Sequence, residues 1–264
     1  GLINTTQPGS SIIIDNCILS NVNGQPIRTG SATVKVKVIN TIFANLGSLT
    51  TSNFGAGKGL DLRETSCDSL ILVNNTFVNY QDRPVRHYNF GNPLAGTGII
   101  DYCIIDHNTF LNGMSFHGLL SLGNVGTEVR ITNNLFMDAY ALGEDSTDVT
   151  RSVEWGNTGE FYPNGNNTMP WIFTAPNDTT EWTVENNYYS ISAAGQAFLD
   201  SHPPISEGSP LSEHIKGRLG AAAATAFTKI PALTMTNIPD LMISLMEYYW
   251  SPTGGNKTKD KPNY

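Results

Sequence analysis

The amino-acid sequence predicts an all-β fold: a right-handed parallel β-helix, that is a solenoid, closed by a helical C-terminal cap. Three observations carry that expectation. A six-residue phrase built on Asn recurs along the chain, short runs beside it alternate apolar and polar with period two, and helical periodicity is absent between the copies. A repeat of roughly 20–50 residues marks solenoids, propellers and arrays.

The phrase is a short apolar strand, a polar pair, a small residue and a large apolar one. It reads Ile13-Ile14-Asp15-Asn16-Cys17-Ile18, then Val38-Ile39-Asn40-Thr41-Ile42-Phe43, then Leu72-Val73-Asn74-Asn75-Thr76-Phe77. It returns as Ile105-Asp106-His107-Asn108-Thr109-Phe110, Ile131-Thr132-Asn133-Asn134-Leu135-Phe136 and Val184-Glu185-Asn186-Asn187-Tyr188-Tyr189. Counted between last residues, the intervals are 25, 34, 33, 26 and 53. The last is close to two turns of about 26, so a further copy is expected within residues 150–175. Asn tolerates the left-handed backbone region and suits a tight bend between strands. Stacked on successive coils, such asparagines form a hydrogen-bonded ladder, and Phe43, Phe77, Phe110, Phe136 and Tyr189 are expected to stack inside. A propeller blade needs four strands in about 40 residues with Asn-Gly hairpins, which do not fit here. An all-β sandwich with chance Asn-Asn turns is the other reading of the same pattern.

The β-helix is expected over residues 1–190, with long loops at 47–69, 80–101 and 141–180. After Tyr189 the signals turn helical. Ser209-Pro210 suits an N-cap and first helical position for a helix ending near Gly217 or Gly220. Asn237-Ile238-Pro239 opens a second helix that Pro252-Thr253-Gly254-Gly255 stops. Residues 191–250 are expected to cap the solenoid, whose last coil otherwise leaves apolar surface and strand edges in water. Residues 251–264 read as a polar tail or linker. The chain opens at Gly1 without a leader-like segment, which points to a processed chain or a piece of a longer one.

Composition narrows the function. The 264 residues carry only 14% charged side chains, against about 25% in an average soluble domain. Fifteen Lys and Arg against 23 Asp and Glu give a net charge of −8, which argues against nucleic acid as a partner. No apolar run reaches the roughly 18 residues of a membrane span. Few charges and abundant Asn, Thr, Gly and Ser point to an extracellular or cell-surface protein. Cys17, Cys67 and Cys103 lack metal-site spacing and read as small apolar residues inside strands.

Across residues 10–190 the Asn-rich repeat resembles the pectate-lyase-like superfamily of secreted bacterial β-helix proteins. The likeness is densest over residues 104–138. There Asp106-His107, His117-Gly118-Leu119-Leu120-Ser121 and Thr132-Asn133-Asn134 follow the order of similar segments in pectate lyases. The resemblance implies a parallel β-helix acting on an acidic polysaccharide, with calcium as cofactor. The middle segment departs from the family: His117 and Ser121 stand where those enzymes carry calcium-binding aspartates. The family's downstream Arg-x-Pro-x-x-Arg is likewise missing, and Asp82-Arg83-Pro84-Val85-Arg86-His87 only echoes it.

Uronate lyases neutralise a carboxylate and remove the adjacent proton with a base such as Arg, Lys or His. The one dense cluster of such groups is Arg83, Arg86 and His87, with Lys58 one coil earlier; these are the candidate catalytic residues. Asp61 and Arg63 beside them, His107 and His117 one coil on, and Trp155 and Trp171 as sugar-stacking aromatics are the candidate substrate-binding residues. The same charges can instead pair among themselves, Arg83 and Arg86 with Asp61, Asp82 or Glu64. Glu144, Asp145, Asp148, Glu154 and Glu160 form an acidic stretch in which Asp145 and Asp148 could hold calcium. Two function classes follow: a protein that binds or processes an acidic polysaccharide, most simply as a lyase, or a structural or adhesive module associating with copies of itself or with adjoining domains.

Overall fold

The structure, a computed structural model, describes residues 2–47, 57–80, 82–87, 98–113, 119–138, 171–193, 196, 200 and 210–232. Strands follow one another in sets of three. The first circuit is β1 (Ile3–Thr5), β2 (Ser10–Asp15) and β3 (Ile18–Val22); the second is β4 (Ile27–Thr29), β5 (Thr33–Ile39) and β6 (Ile42–Leu46). The third is β7 (Leu60–Asp61), β8 (Cys67–Val73) and β9 (Thr76–Tyr80), and the fourth β10 (Val85–Arg86), β11 (Ile100–Asp106) and β12 (Thr109–Gly113). The fifth is β13 (Leu120–Gly123), β14 (Val125–Thr132) and β15 (Leu135–Met137), and the sixth β16 (Ile172–Thr174), β17 (Glu181–Glu185) and β18 (Asn187–Ser190). A helix, α1 (Glu213–Leu219), a 3-10 turn over Gly220–Thr225 and β19 (Phe227–Lys229) follow.

Three sheets result: β1-β4-β7-β10-β13-β16, β2-β5-β8-β11-β14-β17, and β3-β6-β9-β12-β15-β18-β19. Every strand pairing in them is parallel. The chain is therefore all-β and consistent with a parallel solenoid. A sandwich of antiparallel sheets is excluded for these strands.

The recurring phrase forms the corner between the second and third sheets. One residue takes a left-handed backbone at each corner, with φ of 54° at Asn16, 52° at Asn40, 55° at Asn74, 54° at His107, 57° at Asn133 and 55° at Asn186; the first copy of the phrase is offset by one, since Leu19 and not Ile18 pairs with Phe43. Asn meets that demand more cheaply than other non-glycine residues. The second polar residue turns inward. The Nδ2 of Asn75 donates to Asn108 Oδ1 at 3.0 Å, that of Asn108 to Asn134 Oδ1 at 3.1 Å, and that of Asn134 to Asn187 Oδ1 at 2.9 Å. These amides also serve main-chain groups of neighbouring circuits, as where Asn75 Nδ2 donates to the Val38 carbonyl.

A second ladder lies five residues further on in each copy. Asn45 donates to Asn21 at 3.2 Å, Asn79 to Asn45 at 2.8 Å and Asn112 to Asn79 at 2.8 Å. Asp138 occupies the next rung, again with a left-handed φ of 45°.

Inside, Phe43, Phe77, Phe110 and Phe136 stack with centroids 4.4, 5.3 and 4.8 Å apart, set by the spacing of hydrogen-bonded strands. Tyr189 pairs with Phe136 in register, but its ring meets Trp171 edge-on, and Trp171 with Phe227 closes the column. Val36, Leu70 and Val129 from the second sheet and Ile27, Leu60 and Val85 from the first complete the core. Cys67 and Cys103 are buried in it as free thiols, whereas Cys17 is exposed.

Three expectations are corrected. Among the described residues β14 pairs directly with β17 and β15 with β18, so no further copy of the phrase stacks between the fifth and sixth circuits across the 53-residue interval. The stretches read as loops at 47–69, 80–101 and 141–180 contain first-sheet strands of two or three residues, β7, β10 and β16, too short to show alternation. The C-terminal helix begins at Ser212, whose hydroxyl accepts from the Ile215 amide, and not at Ser209-Pro210. Leu211 is instead bridged in parallel to Ile172, and the Pro210 carbonyl accepts from the Ile172 amide, which holds this stretch extended. Gly220, at φ 57°, ends the helix. Ile215 of α1 joins the core cluster, and β19 extends the third sheet beyond residue 190.

Candidate functional site

In the first sheet Ile27, Leu60, Val85 and Leu120 point into the core, so the alternate residues face outward. Pairing sets Arg28, Asp61, Arg86 and Ser121 side by side on successive strands. The row alternates in charge. Arg28 holds Asp61 Oδ2 at 3.0 Å and Arg86 holds Asp61 Oδ1 at 3.0 Å, while Arg86 also pairs with Glu64.

A second group adjoins it. Lys58 Nζ lies 2.7 Å from Asp82 Oδ2, Arg83 Nε donates to Asp82 Oδ1 at 2.9 Å, and Arg83 also donates to Ser121 Oγ at 3.0 Å. Arg83 is fully buried, and Lys58, Asp82 and His87 nearly so. Charges this deep are tolerated only when paired and hydrogen-bonded. Main-chain bonds lock the two strands together here, with the Gly59 amide donating to the Arg83 carbonyl. A Cβ at Gly59 would fall 2.6 Å from the Phe77 ring and 2.7 Å from the Pro84 carbonyl, so only glycine fits.

The His87 ring reaches the Leu122 carbonyl through Nδ1 at 2.6 Å and the Thr65 carbonyl through Nε2 at 2.9 Å. Burial pushes its imidazole below the ordinary value, and the two carbonyl acceptors pull it back up. Burial also pushes the Lys58 amine down against the pull of Asp82, and pushes the Glu64 carboxyl up against Arg86. Arg63 and Glu64, both left-handed with φ of 50° and 58°, form the corner after β7. Two such residues in succession without glycine carry backbone strain.

The structure thus brings together Lys58, Asp61, Arg83, Arg86 and His87, with Arg63 exposed at the rim. The pairing of Arg83 with Asp82, and of Arg86 with Asp61 and Glu64, is the self-pairing the sequence also allowed. His107 is not in this group. It sits exposed at the corner between the second and third sheets, with Nδ1 2.8 Å from Asp106 Oδ2. Trp171 is 3% exposed among aromatic rings. His117, Trp155, Asp145 and Asp148 lie outside the described residues. Among the described residues no group of three or more His, Cys, Asp or Glu side chains is placed to hold a metal ion.

Arg28 was missed by sequence reasoning. Its signal was the alternation Ile27-Arg28-Thr29, which becomes meaningful only once β4 is known to lie beside β7. Compared with protein-family models, curated proteins and solved structures, the chain matches none.

Proposed function

We propose that the chain is a secreted right-handed parallel β-helix, similar to the pectate-lyase-like superfamily, that binds an acidic polysaccharide on the outer face of its first sheet. One observation carries this reading: the long connections of the chain all join strands of that sheet. The corner between the second and third sheets is always one or two residues, whereas the long connections 47–59, 87–99, 114–119 and 138–171 all enter or leave first-sheet strands. Loops lengthened on one side of a rigid scaffold are where binding residues concentrate. On that sheet Arg28 is part-exposed and Arg63 exposed at the rim, groups suited to carboxylates, while Arg86 is buried against Asp61 and Glu64.

The reading is binding without cleavage. Arg83, Arg86 and Lys58 are each engaged by a carboxylate, so none is poised to take a proton from a sugar. The same saturation favours a second reading, a non-catalytic structural or adhesive module in which the ion pairs hold circuits together. Affinity electrophoresis in polygalacturonate and alginate gels, with and without calcium, separates the two. Retardation that Arg28→Ala and Arg63→Ala weaken supports polysaccharide binding. Free migration in every gel moves the assignment to the structural module. Absorbance near 235 nm reports unsaturated product, and its appearance would overturn binding without cleavage.

A further inference from the structure

The third sheet buries more than its inner side. Phe43, Phe77, Phe110 and Phe136 point into the core, so the residues that follow them, Ala44, Val78, Leu111 and Met137, point outward, aligned on neighbouring strands. An outward row on a solvated sheet is wet. These four are 0%, 0%, 3% and 5% exposed, although none of them is part of the core. Ser190 continues the row on β18, and its hydroxyl is buried with no partner among the described residues. The next outward row, from Ile18 to Tyr188, is open at both ends, with Ile18 59% and Tyr188 45% exposed. The cover is therefore narrow and follows one row across the strands. Strands of this sheet meet one another edge to edge, and α1 packs on β17 and the 3-10 turn. The cover comes from a part of the chain outside the described residues.

We infer that the occupant is the segment 240–250 of this same chain, laid as a helix along the outer face of the third sheet. Three observations select it. The chain runs towards that segment from β19, the last strand of this very sheet, where the Ile230 amide donates to the Tyr189 carbonyl. Residues 241–250 hold eight apolar or aromatic side chains in ten without Gly or Pro, a density that no other stretch outside the described residues reaches. Their spacing is that of a helix with one broad apolar side: Asp240, Ser244, Glu247 and Ser251 fall on one face, and Leu241, Leu245, Tyr248 and Met242, Met246, Tyr249 on the faces beside it. The lengths agree. Eleven helical residues span about 16 Å, and the row from Ala44 to Met137 crosses three strand spacings, about 14 Å. Met137 lies two strands from β19, about 10 Å, well within the roughly 33 Å that the ten residues 230–239 can reach. The contact shares no residue with the first-sheet face proposed to meet polysaccharide.

Photo-methionine incorporated into the full 264-residue chain tests this, because Met137 stands in the row and Met242 and Met246 in the segment. Illumination is expected to join the peptide holding Met137 to the one holding residues 240–250, within single chains when heavy- and light-isotope protein are mixed. Leu111→Arg is expected to lower the yield of that product at least tenfold and to speed amide exchange across 240–250 at least tenfold, with protection kept over Cys103–Asp106. Leu111→Met is expected to change neither. The cross-link in the unsubstituted chain decides the matter even if Leu111→Arg folds poorly. Met137 joined instead to 48–56, 114–118, 139–170 or 194–209 would overturn the inference. So would a product linking heavy to light chains, the absence of any cross-link from Met137, or an undiminished yield in a folded Leu111→Arg.

Discussion

Asp138 breaks the rule followed by the rungs before it. In the second ladder each later amide donates to the oxygen of the earlier one, from Asn45 to Asn21 and on to Asn112 donating to Asn79. A carboxylate on the next rung has no hydrogen to pass down to Asn112, and only its protonated form continues the pattern. Burial pushes the Asp138 carboxyl up, opposed by the Ser192 amide donating to its Oδ1 at 2.8 Å. A group whose folded value is raised contributes stability that is complete below its unfolded value, about 3.9 for Asp, and is lost as pH rises through the folded value. Asp138→Asn supplies the missing donor at any pH. It is expected to stabilise the chain by about 1 kcal/mol at pH 7 and to make little difference near pH 3.5, where the aspartate carries its own proton. Urea denaturation of both proteins at the two pH values checks this. A gap that does not narrow in acid refutes a protonation role for Asp138.

Adjacent residues of one phrase do separate jobs, and the elements they build differ in cost. Asn74 supplies a left-handed corner at the surface, which glycine also accepts, so Asn74→Gly is expected to shift stability by no more than about 0.5 kcal/mol. Asn75 is 1% exposed; its oxygen accepts from the Thr41 amide and its Nδ2 donates to the Val38 carbonyl. Asn75→Ala strands those buried groups and is expected to cost about 2–4 kcal/mol, while Phe77→Ala opens the aromatic column at about 3–5 kcal/mol. Equilibrium unfolding of the three variants ranks them, and equal losses at positions 74 and 75 would refute the division of labour. The elements that repeat a chemical requirement were legible in the sequence. The corner demands Asn, the column demands rings, and both recur. The second ladder recurs as regularly, from Asn21 through Asn45, Asn79 and Asn112, but its members are scattered among apolar residues without a doublet to draw the eye. The first sheet was illegible for another reason. Strands such as Leu60–Asp61 and Val85–Arg86 span a single period of alternation, so their charged residues read as loop chemistry. Arg83, Arg86, Asp61 and Lys58 were therefore found as a cluster, while the register of Asp61 and Arg86 with Arg28 emerged only from the pairing.

At the scale of the whole molecule the three sheets are held by different forces. The second and third have strands of up to eight residues with ladders of amides and packed rings, whereas β7 and β10 offer two residues each. The first sheet is joined across circuits by charge instead: Arg28 to Asp61 to Arg86, Lys58 to Asp82, Arg83 to Ser121, and the His87 ring to two carbonyls. Buried pairs of this kind are screened little by salt, and removing one partner leaves an uncompensated charge at a cost of about 3–5 kcal/mol. In a stacked architecture each circuit contacts chiefly its neighbours, so such damage opens the molecule locally before it unfolds it. Asp82→Asn strips Lys58 and Arg83 of their shared carboxylate. It is expected to speed amide exchange in peptides covering residues 57–65, 82–87 and 119–123, with protection kept over Cys103–Asp106 and Val129–Thr132 in the second sheet. Lys58→Met with Asp82→Asn, which removes a charge of each sign, is expected to recover part of the loss. Hydrogen exchange read by mass spectrometry distinguishes this from uniform destabilisation. Equal loss of protection in the first and second sheets would show that the ion pairs do not hold the first sheet as a separate unit.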